Sequence, residues 1–195
     1  TEQMRFWSPE VRELDPYVPG EQPKIQNILK LNTNENPYPP SPKVVAAVQA
    51  VLENSADVLR LYPDPDATEL KQAIAKQQHV PVGNVFVGNG SDEVLAHIFK
   101  AFFVQDKPIL YPDITYSFYP VYSQFFGLAT KTKIIPLNDD FEINVADYKQ
   151  PNGGIIITNP NAPTSIALGL SAIEEVLQAN PDSVVVIDEA YVDFG

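Results

Sequence analysis

The sequence of 195 residues contains no cysteine, which excludes disulfide bonds and thiolate metal sites. Basic residues are also scarce, since 13 lysines and arginines stand against 25 aspartates and glutamates, for a formal net charge of −12. Such a surface repels nucleic acid and acidic membranes, so we expect neither as a partner. No apolar run reaches the length of a membrane span, and the N-terminus lacks a basic-then-apolar signal pattern. These absences predict a soluble, cytoplasmic protein.

Histidine is almost as rare as cysteine. Neither His79 nor His97 has a companion at the spacing of metal ligands or of a catalytic triad, so we interpret both as structural and expect no metal site. Proline, by contrast, is abundant, with 19 residues that cluster at 38–41, 62–66 and 159–164. With 44% hydrophobic residues the chain has enough apolar material for a core, so the prolines indicate shaped loops.

Strands and helices alternate along most of the chain. Helices are predicted after Ser41-Pro42, near Asp66 in a capping box with Glu69, after Ser91, over 115–126, and from Ser171 in a capping box with Glu174. Apolar strands are predicted at 84–87, 108–111, 130–135, 154–158 and 183–188. Strands that are apolar on both faces and separated by helices predict a mostly parallel sheet flanked by helices, an α/β fold.

A glycine-bearing turn, Gly88-Asn89-Gly90-Ser91, joins a predicted strand to a predicted helix. Free N–H groups and the positive end of the helix dipole make such a turn suited to a phosphate group. The alternative is a tight turn in which Ser91 is an ordinary N-cap. The turn is not a Walker A loop, because the Gly-Lys-Ser/Thr ending is missing.

Asp188 ends the apolar run Val184–Ile187, where an unpaired charge is costly. It therefore needs a cationic partner: a metal ion, an arginine or a protonated ring nitrogen. A Walker B aspartate that serves magnesium has the same appearance, although no Walker A loop precedes it. A ring nitrogen is the favoured partner, because a carboxylate there keeps a cofactor ring protonated and electron-withdrawing.

Two further segments follow strands. The loop Asn159–Thr164 carries amides that can donate to a phenolic oxygen, although a proline-rigidified turn explains the same residues. The stretch Tyr111–Tyr122 is rich in aromatic residues, most of which we assign to the core or an interface, while one could stack on a flat ring.

These sites, in this order, resemble those of the fold-type-I pyridoxal-phosphate aminotransferases. The segments Tyr17–Gly20, Leu31–Pro37, Arg60–Asp64, Gly88–Glu93 and Asp188–Phe194 look more narrowly like the branch of that family that serves histidine biosynthesis. The resemblance covers nearly the whole chain.

The resemblance implies a role for each matching residue, with pyridoxal 5'-phosphate as the cofactor. Its phosphate would be held by Gly90, Ser91 and Asp92. Tyr116 would stack on the ring, Asp188 would pair with the ring nitrogen, and Asn161 and Tyr191 would contact the phenolic oxygen. Tyr62 would reach the phosphate of a partner subunit's cofactor, which implies a homodimer. Tyr17 and Asn36 would line the substrate pocket.

The same resemblance implies the domain division and the reaction. Residues 1–41 would form an N-terminal arm belonging to the small domain, and residues 42–195 an incomplete large domain that binds the cofactor. The reaction would pass the amino group of glutamate, a small-molecule donor, to a phosphorylated keto substrate, imidazole-acetol phosphate. Alternatives are an aromatic aminotransferase, a threonine-phosphate decarboxylase or a non-catalytic dimerisation fragment.

Two departures from the family pattern matter. The family loop reads Asn-Pro-Asn-Asn-Pro-Thr-Gly, whereas Ala162 and Ser165 replace its last asparagine and its glycine here. The Schiff-base lysine of the family follows the strand that ends at Asp188, and every lysine of this sequence precedes that strand. We therefore expect no catalytic residue within the 195 residues, and expect them alone to be inactive and marginally folded.

Overall fold

The computed structural model describes residues 2–194, without the side chains of residues 2, 3 and 54–56. Contacts group these residues into two compact units. The first unit comprises residues 2–17 and 88–194, and the second comprises residues 18–87. The division into an arm of residues 1–41 and a large domain of residues 42–195 remains a prediction.

The described residues form six α-helices and four β-strands. The helices are α1 (Pro9–Glu13), α2 (Pro42–Ser55), α3 (Thr68–Gln78), α4 (Ser91–Ile98), α5 (Phe118–Phe125) and α6 (Leu170–Ala179). The strands are β1 (Ile109–Pro112), β2 (Thr132–Ile135), β3 (Gly154–Thr158) and β4 (Val185–Asp188). A π-helical turn, Phe99–Phe103, continues α4, and short 3-10 turns lie between several of the other elements.

The four strands of the first unit form one parallel sheet with the order β2-β1-β3-β4. This confirms the predicted α/β class. In the register of β3 and β4, Thr158 pairs with Asp188, so the two strands end side by side. Parallel strands place their carboxyl ends at one edge of the sheet, and that edge is where ligands bind in such folds.

Two apolar clusters cover the two faces of the sheet. Ile156 of β3 packs with Leu95, Phe99, Phe103 and Tyr119, which come from α4, its π-helical extension and α5. Ile155 and Ile157, its neighbours on β3, pack with Val176 of α6 on the opposite face. Successive side chains of a strand point to opposite faces, so the uniformly apolar run Ile155–Ile157 needs cover on both sides.

Three sequence expectations about local structure are wrong. Residues 84–87 form no strand: Asn84 ends a 3-10 turn, and residues 85–87 have no partner strand in the described sheet of β1 to β4. The capping boxes of Asp66 and Ser171 are also absent: Ala67 and Gly169 precede α3 and α6 without a side-chain capping bond. At α3 the carboxylate of Asp64 accepts from the N–H of Thr68 at 2.8 Å, and the hydrogen bonds that Thr68 provides lower the Asp64 pKa.

The second unit is built around α2 and α3. Ala75 of α3 is its one buried hydrophobic residue among the described side chains. The predicted apolar stripe of α2 is largely exposed, with 52% of Val44 and 57% of Val48 accessible. Among residues 2–194, no helix is both long and apolar enough to cross a membrane.

The start of β3 offers a test of the packing. A Cβ atom added at Gly154 would lie 2.3 Å from Cε1 of the buried Phe103 ring, so Gly154→Ala overfills the core. We expect a loss of about 1–3 kcal/mol in the free energy of unfolding, measured by urea denaturation of the intact protein. Gly83→Ala is the matched control, because a Cβ there meets nothing within 4 Å. Equal stability of both variants would contradict the packing described here.

Candidate ligand site at the carboxyl ends of the strands

The predicted phosphate turn has the geometry that its glycines require. Gly90 precedes the first residue of α4 with φ 82° and ψ 169°, a conformation that residues with a Cβ rarely adopt. A Cβ at Gly88 would lie 2.9 Å from Cγ2 of Val94. Ser91 is the first helical residue and Gly90 the N-cap, so Ser91 is not the ordinary N-cap of the alternative interpretation.

The first turn of α4 is joined to the aromatic residues of the neighbouring loop and helix. The N–H groups of Ser91, Asp92 and Glu93 have no intrahelical acceptor, as at the start of any α-helix. The side chain of Asp92 accepts from the Tyr116 hydroxyl at 3.0 Å, and its carbonyl accepts from the Tyr122 hydroxyl at 2.6 Å. These two bonds fix the turn beside the ring of Tyr116.

Asp188 lies at the end of β4 and is half-buried. Its Oδ2 accepts from the Tyr119 hydroxyl at 2.8 Å, and its Oδ1 accepts from the N–H of Ala190 at 3.3 Å. The Tyr119 hydroxyl also lies 2.7 Å from Oγ1 of Thr158, at the end of β3. Tyr119 is fully buried and its ring stands edge-on to Tyr116, with centroids 5.5 Å apart. One hydroxyl thus links α5 to the ends of two strands.

Asn161 is buried beyond β3, and its side-chain amide is fully engaged. Its Oδ1 accepts from Oγ1 of Thr115 at 2.9 Å. Its Nδ2 donates to the carbonyl of Ile114 at 2.9 Å and to Oγ1 of Thr164 at 3.1 Å. A phenolic oxygen would have to replace one of these acceptors, so the predicted role of Asn161 stays a prediction.

The N-terminal residues of the first unit attach to α5. The Gln124 side chain accepts from the N–H of Asp15 at 3.2 Å and donates to the carbonyl of Glu13. Two residues after Asp15, the ring centroid of Tyr17 lies 5.1 Å from that of Phe118. The ring of Phe118 stacks on that of Tyr116, with centroids 6.2 Å apart. Tyr17 therefore lies on the same aromatic group as the predicted stacking residue.

The structure brings most of the predicted site residues into one unit. Gly90, Ser91, Asp92, Tyr116, Asn161, Asp188, Tyr191 and Tyr17 belong to the first unit. Tyr62 and Asn36 belong to the second, where Tyr62 is fully exposed and Asn36 accepts from the N–H of Tyr38 at 2.9 Å.

Sequence analysis did not single out Thr115, Thr158, Tyr119 or Tyr122. Tyr119 and Tyr122 were assigned with the other aromatic residues to the core, and both are buried there. Their hydroxyls nevertheless end on Asp188 and Asp92. A buried tyrosine hydroxyl usually has a partner, so the position of Tyr119 three residues after Tyr116 was an available signal.

Burial and nearby carboxylates raise the pKa values of the three tyrosines of the site. Burial raises the pKa of Tyr119 strongly, and the charge of Asp188 adds to that effect. Burial also raises the pKa values of Tyr116 and Tyr122, with a further contribution from Asp92. All three are therefore neutral hydrogen-bond donors at physiological pH.

The fold and the candidate site together define an open parallel α/β protein with polar side chains gathered at the carboxyl edge of its sheet. The sequence profile of the family Aminotransferase class I and II matches residues 26–195. The chain belongs to this family.

Two relatives illustrate the similarity within the family. The chain is 85% identical over 195 residues to the histidinol-phosphate aminotransferase of Acinetobacter baumannii strain ATCC 17978, covering all of this chain and 54% of the relative. It is 66% identical over 192 residues to histidinol-phosphate aminotransferase 2 of Dechloromonas aromatica, covering 98% of this chain and 53% of the relative. The chain thus spans about half the length of these relatives.

A solved structure supports the fold. The crystal structure of histidinol-phosphate aminotransferase from Sinorhizobium meliloti in complex with pyridoxal-5'-phosphate superposes with a TM-score of 0.65 at 24% sequence identity. The match covers 83% of this chain and 44% of that one. It confirms that this chain shares the mostly parallel α/β fold of that structure.

The raised tyrosine pKa values predict an alkaline loss of stability. Above about pH 10, tyrosines of the unfolded chain lose protons that the folded site retains, so the unfolded state binds fewer protons and the free energy of unfolding falls with pH. This contribution is fully present below about pH 10. Tyr119→Phe should make the fall of the free energy of unfolding with pH less steep, by up to about 1.4 kcal/mol per pH unit. Urea denaturation of the intact protein between pH 8 and 11 measures this slope. An unchanged slope would contradict the shift.

Proposed function

We propose that the intact protein is a pyridoxal-phosphate-dependent aminotransferase of histidine biosynthesis. It transfers the amino group of glutamate to imidazole-acetol phosphate and yields histidinol phosphate and 2-oxoglutarate. The proposal takes histidinol phosphate from the names of the relatives and the other substrates from the family resemblance, and it places the protein in the cytoplasm with other enzymes of amino-acid biosynthesis. Family membership and the site geometry support the cofactor.

The observation that carries the proposal is the environment of Asp188. Its carboxylate lies at the carboxyl edge of a parallel sheet, and a buried tyrosine hydroxyl and a backbone N–H bind it. The ion pairs found among the described residues do not include Asp188. A half-buried carboxylate that is hydrogen-bonded but has no cationic side chain beside it suits a cationic ring nitrogen.

The turn before α4 suits the phosphate of the same cofactor. The N–H groups of Ser91 and Asp92 point out of the first turn of a helix whose dipole favours an anion. Gly90 leaves space there, since an added Cβ would meet nothing within 4 Å. The carboxylate of Asp92, which would repel a phosphate, is held by the Tyr116 hydroxyl.

Each residue of the candidate site has its own proposed role toward the cofactor. Bound pyridoxal phosphate supplies a protonated ring that withdraws electrons from a substrate carbanion. Asp188 holds the proton on the ring nitrogen, Tyr116 covers one face of the ring, and Ser91 with Asp92 anchors the phosphate. The hydrogen bonds from Tyr119 and Tyr122 fix the side chain of Asp188 and the backbone at Asp92, so the site is oriented before ligand arrives.

Substrate choice separates the proposal from its rivals. The cofactor contacts described above serve any fold-type-I enzyme, including an aromatic aminotransferase and a threonine-phosphate decarboxylase. Intact protein should convert histidinol phosphate with 2-oxoglutarate, while phenylalanine and threonine phosphate should react far more slowly. A preference for either of the latter would identify the rival, and no turnover with any of them would favour a non-catalytic dimerisation fragment.

Removal of the Asp188 carboxylate tests the cofactor assignment. A charge-assisted pair of this kind is worth about 1.5–3 kcal/mol, so Asp188→Ala should weaken pyridoxal phosphate binding to intact protein roughly 10- to 100-fold. Equilibrium titration of cofactor-free protein measures the change. Asp182→Ala is the control, because this exposed residue precedes β4 at the opposite edge of the sheet. Equal affinities of the two variants would refute the assignment of Asp188.

We also propose that the enzyme is a homodimer whose site takes Tyr62 from the partner subunit. The side chain of Tyr62 is fully exposed, so no described residue of its own subunit covers its ring. The exposed apolar side chains of α2 support a further interface on the second unit.

Mixing two defective subunits tests the shared site. Tyr62→Ala and Asp188→Ala each damage every site of a homodimer, but a mixed dimer would contain one site with both native residues. We expect mixed and re-equilibrated subunits to regain activity toward about a quarter of the wild-type level, since half the dimers are mixed and each has one native site. Mixed Tyr62→Ala and Asp188→Ala subunits that stay as inactive as the separate variants would show that Tyr62 serves its own subunit.

A further inference from the structure

A line of three hydroxyl groups joins Asp188 to Asn161. The Tyr119 hydroxyl lies 2.8 Å from Oδ2 of Asp188 and 2.7 Å from Oγ1 of Thr158. Oγ1 of Thr158 lies 3.2 Å from Oγ1 of Thr115, which lies 2.9 Å from Oδ1 of Asn161. The line thus connects the residue predicted for the ring nitrogen to the residue predicted for the phenolic oxygen.

The hydrogens of this line can be counted. It has four contacts but only three hydroxyl hydrogens, because the amide oxygen at one end and an ionised carboxylate at the other only accept. With Asp188 ionised, one contact must therefore lack a hydrogen. With a proton on Oδ2 of Asp188, all four contacts could have one.

The distances fit the case in which one contact lacks a hydrogen. The contact between the two threonine hydroxyls is the longest of the four, at 3.2 Å, while the others lie between 2.7 and 2.9 Å. Hydroxyl hydrogen bonds normally measure about 2.7–2.8 Å, so the contact without a hydrogen is the one between the threonines. Thr158 then donates to Tyr119, Tyr119 donates to Asp188, and Thr115 donates to Asn161. In this arrangement Oδ2 of Asp188 only accepts, as it does in an ionised carboxylate.

We propose that Tyr119 is a positioning residue that keeps Asp188 ionised as the partner of the cofactor's ring nitrogen, and that Thr158 fixes the direction of its hydroxyl. This inference rests on the proposed function. A hydrogen bond donated to a carboxylate favours its charged form, and a charged Asp188 in turn holds the proton on the ring nitrogen. Tyr119 acts through Asp188 and does not itself contact the ring nitrogen.

The surroundings of Tyr119 keep it a donor. It is fully buried between the rings of Tyr111 and Tyr116, whose centroids lie 5.9 and 5.5 Å from its own. Burial and the charge of Asp188 raise the pKa of its hydroxyl. The hydroxyl therefore retains its proton throughout the pH range in which an aminotransferase operates.

The test compares two cofactors in intact protein from which the cofactor has been removed. One is pyridoxal phosphate, and the other is its 1-deaza analogue, in which carbon replaces the ring nitrogen. Wild-type protein should prefer pyridoxal phosphate, so the dissociation constant of the analogue divided by that of pyridoxal phosphate should be large. Tyr119→Phe should reduce this ratio roughly 10- to 100-fold, because one hydrogen bond to a charged group is lost. The ¹⁵N chemical shift of bound, ring-labelled cofactor should move toward the unprotonated position in Tyr119→Phe.

Two further variants keep the test decisive. Tyr148→Phe is the matched control, because Tyr148 is equally buried but its hydroxyl has no hydrogen-bond partner among the described residues. It should change neither the ratio nor the chemical shift. Thr158→Val keeps the side-chain shape and removes only the hydroxyl that orients Tyr119, so it should move both readouts in the direction of Tyr119→Phe. If Tyr119→Phe fails to fold, Thr158→Val carries the test.

The possible failures are distinguishable. A Tyr119→Phe protein that folds and keeps the wild-type ratio and chemical shift would overturn the role of Tyr119, while the proposed function would stand. Wild-type protein that binds neither cofactor would overturn the proposed function. Wild-type protein that binds both equally would overturn the pairing of Asp188 with the ring nitrogen, and in either case the inference falls.

Discussion

The hydroxyl group of Tyr119 is the interaction on which the geometry of the site depends. It bonds to Thr158 and Asp188, the last residues of two neighbouring strands, from a helix packed on one face of the sheet. Sheet register places those strand ends side by side, but register alone leaves their side chains free to choose rotamers. A buried donor that reaches both removes that freedom, because breaking either bond inside the core leaves an unsatisfied polar group.

The site gains its character from where its charges lie. Asp92 and Asp188 are both held by tyrosine hydroxyls, and the ion pairs found among the described residues include neither carboxylate. Neutral donors orient a carboxylate without cancelling its charge, so the charge stays available to a ligand. The turn before α4 adds N–H groups and a positive helix end at one side of the same edge. The arrangement therefore suits a ligand with a cationic ring and an anionic phosphate.

Four of the five predicted strands form close to their expected positions, whereas the capping boxes predicted at two helix starts are wrong. The predicted β3 matches the observed strand, because uniformly apolar residues such as Ile155–Ile157 fit only a strand covered on both faces. The expected strand at 84–87 does not form. Apolar residues indicate only that a segment can be extended, whereas a strand also needs a partner strand, which the local sequence does not reveal. The capping box of Asp66 failed because the carboxylate of Asp64 accepts from the N–H of Thr68. Ser171 is not a cap because α6 already begins at Leu170, which makes Ser171 its second residue.

Sequence alone determined the family and the residues at the strand ends. Periodicity identified β3 and β4, and the residues that follow parallel strands lie at one edge of the sheet, so Asn161 and Asp188 could be assigned to a candidate site without coordinates. Gly90 was assigned by its glycine-bearing turn before a helix, because the strand expected ahead of that turn does not form. Only the tertiary structure decided which groups support them. Tyr119, Thr158 and Thr115 come from separate segments of the chain, and a hydrogen bond between distant segments leaves no local pattern. Such bonds depend on distances of a few ångströms, and packing of helix against sheet sets those distances.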